Sequence, residues 1–419
     1  MTNEHRRIPA SSLMITVVLS LVIGLICAAF IRLAYVQALE RTDADMEDKL
    51  SRNLESAIDI VMEDDPPAGQ PLQKSLDLFG QGSDSTYIRE EKWGVYDAAY
   101  IRVVAGRRMK QKGLFVGSLL PDTLDGCLYL AEHREVLSVV GNTLLTGNAY
   151  LPKAGVRPAY VNQRGYAYTT LVNGNIERSA GRLPAIDSQL LRHYIDLQAE
   201  DTAMKRSDPV PDTAMQSFGD TIQLIRAHGV AELSGTSLSG HILVVSDSLI
   251  LVDGNARLDN IVLTAPVIRF RSGFSGRVQA IVSDSIIAES GCQFGYPSSI
   301  ALYKKKESSF QPRLILGENC LLNGAVVAFC DSADKYQVYT EIDAGTQIRG
   351  ILYANGYLVF KGTVKGLTLT DYFLYKGSSI VFDNFLVDAE LNRSKLDTSF
   401  AGPVVFTGRK RNRVIQWVR

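Results

Sequence analysis

Two aspartates hold the setting that most invites chemistry. Val245-Ser246-Asp247-Ser248 and Val282-Ser283-Asp284-Ser285 repeat one tetrapeptide 37 residues apart. If the chain stacks on itself, that spacing would bring Asp247 and Asp284 to one face. Two carboxylates so placed can cleave a glycosidic bond, one protonating the leaving oxygen while the other activates water. The same Ser-Asp-Ser also suits a turn or a solvent-facing polar ladder, and two copies of one repeat read as architecture rather than as a unique constellation. Asp371 and Tyr372, beside Asp383 and Asn384, raise the same idea with less pattern around them.

Other chemistries find little support. His5, His133, His193, His228 and His241 form no HExxH or Cys/His spacing, so neither a metal site nor a cofactor is expected. Gly235-Thr236-Ser237-Leu238-Ser239-Gly240 misses the GxSxG elbow by one residue and is better read as a Ser-Gly corner. No GxGxxG or GxxxxGK[ST] loop occurs. Lys and Arg number 44 against 45 Asp and Glu, a balance that gives no field for nucleic acid, which is not expected as a partner. The local exception is Arg409, Lys410, Arg411 and Arg413 with Trp417 behind them. This cluster would attract phosphate or an acidic glycan, with Trp417 as a stacking face, or would simply be a solvated end of the chain. Among Cys27, Cys127, Cys292, Cys320 and Cys330 one disulfide is compatible with export, Cys320 with Cys330 for example, but the sequence does not choose a pair.

Three elements must position these residues. From Leu13 to Ile31 the chain reads LMITVVLSLVIGLICAAFI without a charge, a helix long enough to cross most of a ~30 Å hydrocarbon core. Arg6 and Arg7 precede it and Asp43, Asp45, Glu47 and Asp48 follow, so a short cytoplasmic N-terminus (1–12) and an inner-membrane span (13–36) are expected, with the remainder periplasmic or extracellular. A cleaved signal peptide is the competing reading, although its apolar region is normally shorter. Thr16, Ser20, Gly24 and Ala28 recur every fourth residue and would let two helices approach closely. Tyr35, Leu39, Met46, Leu50, Leu54, Ile58 and Val61 continue at helical spacing, predicting an amphipathic stalk over 37–63 that Asp64-Asp65-Pro66-Pro67 ends.

Beyond the stalk the period changes to strands, expected as a linker and small β-rich subdomain over 64–135 and a larger β region over 136–419, with a helical insertion near 185–203. Besides the Ser-Asp-Ser pair, a second family of segments recurs: ENCLLNGAVVA, AGTQIRGILYA and FKGTVKGLTLT. Short strands cannot bury a face alone, whereas stacked coils bury a continuous core. The expected fold is therefore mainly β, a right-handed single-stranded β-helix, with a β-sandwich as the alternative.

The segment from RRIPASSLMITVV to KLSRNLESAI resembles the start of type IV pilin-like and pilus-associated proteins, in which a basic leader precedes a helix that is greasy first and amphipathic later. It departs from true pilins in lacking the processing Gly, and Ile15 stands where those proteins carry Glu. The stretch GTVKGLTLTDYFLYKGSSIVFDNFLVDAELNRSKLDTSFAGPVVF, with GNAYLPKAGVRPAYV upstream, looks like a group of bacterial envelope proteins with one membrane helix and a β-helical ectodomain, a group that brings no assigned activity. These resemblances imply a non-enzymatic envelope protein for assembly, scaffolding or adhesion in a pilus-like or secretion-like apparatus, with membrane, homo-oligomeric or apparatus partners. The alternative is a membrane-tethered polysaccharide-active enzyme using Asp247 and Asp284, with a glycan as its ligand.

Overall fold

The structure, a computed structural model, describes residues 10–78, 80, 82, 84–120, 124–199, 210–305, 310–331, 337–377, 380–406 and 412–418. Arg409, Lys410 and Arg411, like the basic leader, lie outside the described residues.

Helix α1 runs unbroken over Ala10–Glu63. Its apolar first half, long enough to cross a membrane, lies against no other element among the described residues, with Phe30 66% exposed. In its second half Leu50, Leu54, Ala57 and Val61 fall on one stripe and are buried, Leu50 to 1%. They pack with Ile88, Ile101, Val103, Leu114 and Val116 of an antiparallel sheet. That sheet orders Leu72–Leu76, Asp84–Trp93, Tyr96–Ala105, Arg108–Ser118 and finally Asn412–Val418. The last strand runs antiparallel to Arg108–Ser118, with Asn412 opposite Ser118 and Val418 opposite Gly113.

This placement corrects the expected boundaries. The last strand, assigned from sequence to the 136–419 region, completes the sheet on α1, because its apolar residues find an unpaired edge beside the helix. Asn412 Nδ2 also donates to the Asp64 carbonyl at 3.3 Å. Everything between 118 and 412 is thus inserted within one antiparallel sheet.

The inserted region is dominated by parallel ladders, not the antiparallel pairings of a sandwich. Gln223 pairs with Ile242, and Leu243 with Val262, the chain returning 19 residues later to lie beside itself. Three such ladders run side by side, through 237–240, 242–246 and 249–252 onto successive parts of Arg257–Phe270, and the pairings link twenty strands into one closed system. Ile242, Val244, Leu263, Ala280, Ile300, Val326 and Leu352 fill the interior, with Phe270, Phe274 and Phe294 clustered at centroid separations of 5.0 to 5.7 Å. Gly324, Gly350 and Gly366 sit one above another at φ +140°, +140° and +153°. A Cβ on Gly350 would lie 1.9 Å from the Gly324 carbonyl oxygen, so only glycine fits there.

The spatial order is not the chain order. Leu128–Leu130 pairs with Thr368, Leu369 and Thr370, so the ladder runs from the end of the late strands into the early ones and on through Ala149–Leu151 to Ile176–Arg178. Glu390–Asn392 joins the same end, between Thr363 and Leu144. The ladders therefore take in residues from 128 onward, eight before the expected start. Helix α2 (Ser188–Ala199), the expected insertion, carries the chain from one end of the ladders towards the other. Asp187 caps it through the Gln189 N–H at 3.0 Å, and its Leu190, Leu191 and Tyr194 are buried against the flank.

The two units are locked at the hairpin joining Trp93 to Tyr96. Gln279 reaches out of the ladders, accepting from the Val95 N–H at 2.8 Å and donating to the Trp93 carbonyl at 2.7 Å. A Cβ on Gly94 would meet the Gln279 side chain at 2.1 Å. Trp93 Nε1 donates to the Asn260 carbonyl at 3.0 Å, its ring 4.8 Å from that of His241.

Candidate functional site

The two aspartates singled out from sequence do not occupy equivalent positions. Val245 pairs with Thr264 and Thr264 with Ile281, so Val245 stands over Ile281 and not over Val282. A one-residue slip in a strand turns each side chain to the opposite face. Accordingly Val245 and Ile281 pack outside the interior, while Val244 and Val282 pack within it. The ladder then shifts register between Ala265 and Val267, where Asp284 falls. Each carboxylate also has its own partners. Asp247 accepts from the Gly229 N–H at 2.7 Å and lies 3.0 Å from His228 Nδ1, contacts that hold its pKa below the ordinary aspartate value. Asp284 pairs with Lys304 Nζ at 2.5 Å. Both read geometrically as corner fastenings.

A different carboxylate is more perturbed. Asp371, noted from sequence, lines a cavity of about 470 Å³ with His133, Tyr353, Asn355 and Asp331. Burial pushes its pKa up to about 6, against the opposing pull of His133 and of the Asn355 Nδ2 donor at 2.7 Å. The His133 ring stacks on Tyr372 at 4.2 Å and brings Nε2 to 3.9 Å from Asp371 Oδ1. Asp331, which accepts from the Tyr303 hydroxyl, lines the same cavity. Sequence reading missed His133, Asn355 and Asp331 at this place, since strands far apart in the chain bring them together. The available signal was the apolar surroundings of Asp371.

The C-terminal candidates separate. Arg413 donates to the Thr398 carbonyl at 3.3 Å and lines a groove between the ladders and the last strand, whereas Trp417 is half exposed and lies under Lys112, 4.2 Å from its ring centroid. On α1, the Thr16 and Ser20 hydroxyls donate to carbonyls three residues back, leaving a smooth face with open space above Gly24. The described cysteines are free, Cys320 and Cys330 among them. Among the described residues no group of three or more His, Cys, Asp or Glu is placed to hold a metal ion.

No protein-family model and no curated protein matches the chain. Among solved structures, the competence-associated pilin ComZ from Thermus thermophilus is similar at 9% identity and a TM-score of 0.25, over 84% of this chain and 88% of that one. At that score the likeness carries no argument about this protein.

Proposed function

We propose that this chain is a non-enzymatic, membrane-anchored envelope protein, a structural subunit that holds a rigid β-helix beyond the membrane for assembly, scaffolding or adhesion in a pilus-like or secretion-like apparatus. The observation that carries this reading is the division of α1: an apolar half bare of other protein, continuous with a half sealed against the antiparallel sheet. An exposed helical segment of mean hydropathy 2.8 is costly in water and favourable in lipid or against other such helices. Because the helix does not break between its halves, whatever seats the first half fixes the orientation of the sheet and of the ladders inserted in it.

In this reading the parallel ladders are successive coils of a right-handed solenoid, and the N-terminus faces the cytoplasm. The Thr16, Ser20, Gly24 and Ala28 face joins copies of the chain in the bilayer or in a filament, as small-residue faces do. Cross-linking tests this. With Cys27 changed to Ser, a Gly24→Cys chain in native membranes should form a disulfide-linked dimer on mild oxidation, and a Val22→Cys chain should form far less. Equal yields at both positions, or no dimer, would remove the association from the proposal.

A further inference from the structure

A groove lies where the ladders meet the last strand, and its charged lining is mostly basic. About 780 Å³ in volume, it is lined by Arg349, Lys365, Lys395 and Arg413, with Asp397 the carboxylate among its lining residues. Several basic residues elsewhere in the ladders meet a nearby acid. Arg271 reaches Asp253 at 3.0 Å, Arg277 reaches Asp259 at 2.5 Å and Lys304 reaches Asp284 at 2.5 Å. In the groove Lys395 keeps such a pair, reaching Glu390 at 2.7 Å, whereas Arg349, Lys365 and Arg413 have no ion pair among the described residues.

Arg349 stands directly beside Lys365 in register, about 4.8 Å away at the backbone. Like charges so placed repel. Arg349 is exposed and has no ion pair among the described residues, while Lys365 donates to the neutral Gln347 Oε1 at 3.0 Å. Asn323 occupies the preceding position of the same ladder, so the polar line continues along the groove. Opposite this line Arg413 adds a further positive charge from the antiparallel sheet. On the wall Tyr296 and Phe400 are half-buried, their centroids 5.5 Å apart, and the Tyr296 hydroxyl is fixed on the Ala401 carbonyl at 2.8 Å.

We propose that this groove binds a linear acidic polysaccharide, its carboxylates lying along Arg349 and Lys365 and against Arg413, and its ring faces lying on Tyr296 and Phe400. Anions between stacked cations relieve their repulsion and form charge-assisted hydrogen bonds. Asp397 and Asn323 favour a sugar over a nucleic acid. They are acceptors for hydroxyl donors, which sugars carry in abundance. The site draws on both units at once, so a bound polymer would brace the ladders against the sheet. The inference does not depend on how α1 is seated, and the test is independent of the membrane.

Fluorescence anisotropy on the full chain in detergent supplies that test, with labelled oligogalacturonate as probe. It should bind at low salt and weaken as salt rises, neutral dextran should not compete, and Arg349→Glu with Lys365→Glu should lower affinity at least tenfold. Arg349→Ala alone, at an exposed position, should weaken binding by about tenfold, the effect of one charge-assisted contact, and serves if the double variant does not fold. Absence of oligogalacturonate binding, undiminished binding by these variants, competition by dextran, or stronger binding of a single-stranded oligonucleotide would each overturn the proposal.

Discussion

The sheet on α1 and the ladders inserted into it bury different things. Behind the helix stripe the sheet interface encloses ionisable groups: Asp84 pairs with Lys49 at 3.0 Å and accepts from buried Asn53, and Asp97 pairs with Lys92 at 2.8 Å. Glu90, 1% exposed, is pushed up to about 8 by burial and by the neighbouring Asp64. The ladder interior is apolar, and its buried polar residues are mostly hydroxyls such as Ser298 and Thr368. The contrast teaches that packing geometry governs one unit, while acid–base conditions act on the other.

Packing changes in the ladders should have the largest effect. Phe294→Ala, in the aromatic cluster, should destabilise the ladders by about 3–5 kcal/mol in chemical denaturation followed by circular dichroism. Gly350→Ala should lose about 3 kcal/mol or more by the same measurement, because its φ and the Gly324 carbonyl leave no room for a methyl group. A Gly350→Ala chain as stable as the parent would mean that the three glycines are not stacked.

The joint should come next. Gln279→Ala leaves the Val95 N–H and the Trp93 carbonyl unmet, which should cost about 2 kcal/mol and speed hydrogen exchange in 93–96 before any other hairpin. A smaller, pH-dependent effect should come from Glu90. Its folded pKa lies above the ordinary 4.5, so the protonated form favours folding. That contribution is complete below about 4.5 and fades as pH rises through about 8. Thermal melts of the parent should therefore fall between those values, and those of Glu90→Gln should fall less. Identical slopes would show that Glu90 is not held protonated.

Some of this was legible in the residues. The apolar run of α1 and the stripe Leu50, Leu54 and Val61 state their environments directly, since a helix with that spacing has one dry face. In the second repeat family Gly324, Gly350 and Gly366 were already aligned, because a position that tolerates only glycine marks its own register. The Ser-Asp-Ser pair misled for the opposite reason. Polar corner residues tolerate a one-residue shift, and the bulge between Ala265 and Val267 absorbs it. Nothing local announces that Leu128 follows Thr368 in space, or that Asn412–Val418 returns to the first sheet. Those pairings depend on edges left open hundreds of residues away. The His133 and Asp371 contact escaped for the same reason.

The central claim is that α1 seats the protein in a membrane with both β units beyond it. Protease treatment of intact spheroplasts, followed by immunodetection at each end of the chain, tests it most directly. The account predicts that an epitope at the C-terminus is lost while one at the N-terminus survives on a membrane-bound fragment containing 13–31. Survival of the C-terminal epitope until the spheroplasts are lysed, or release of the whole chain by alkaline washing, would contradict it.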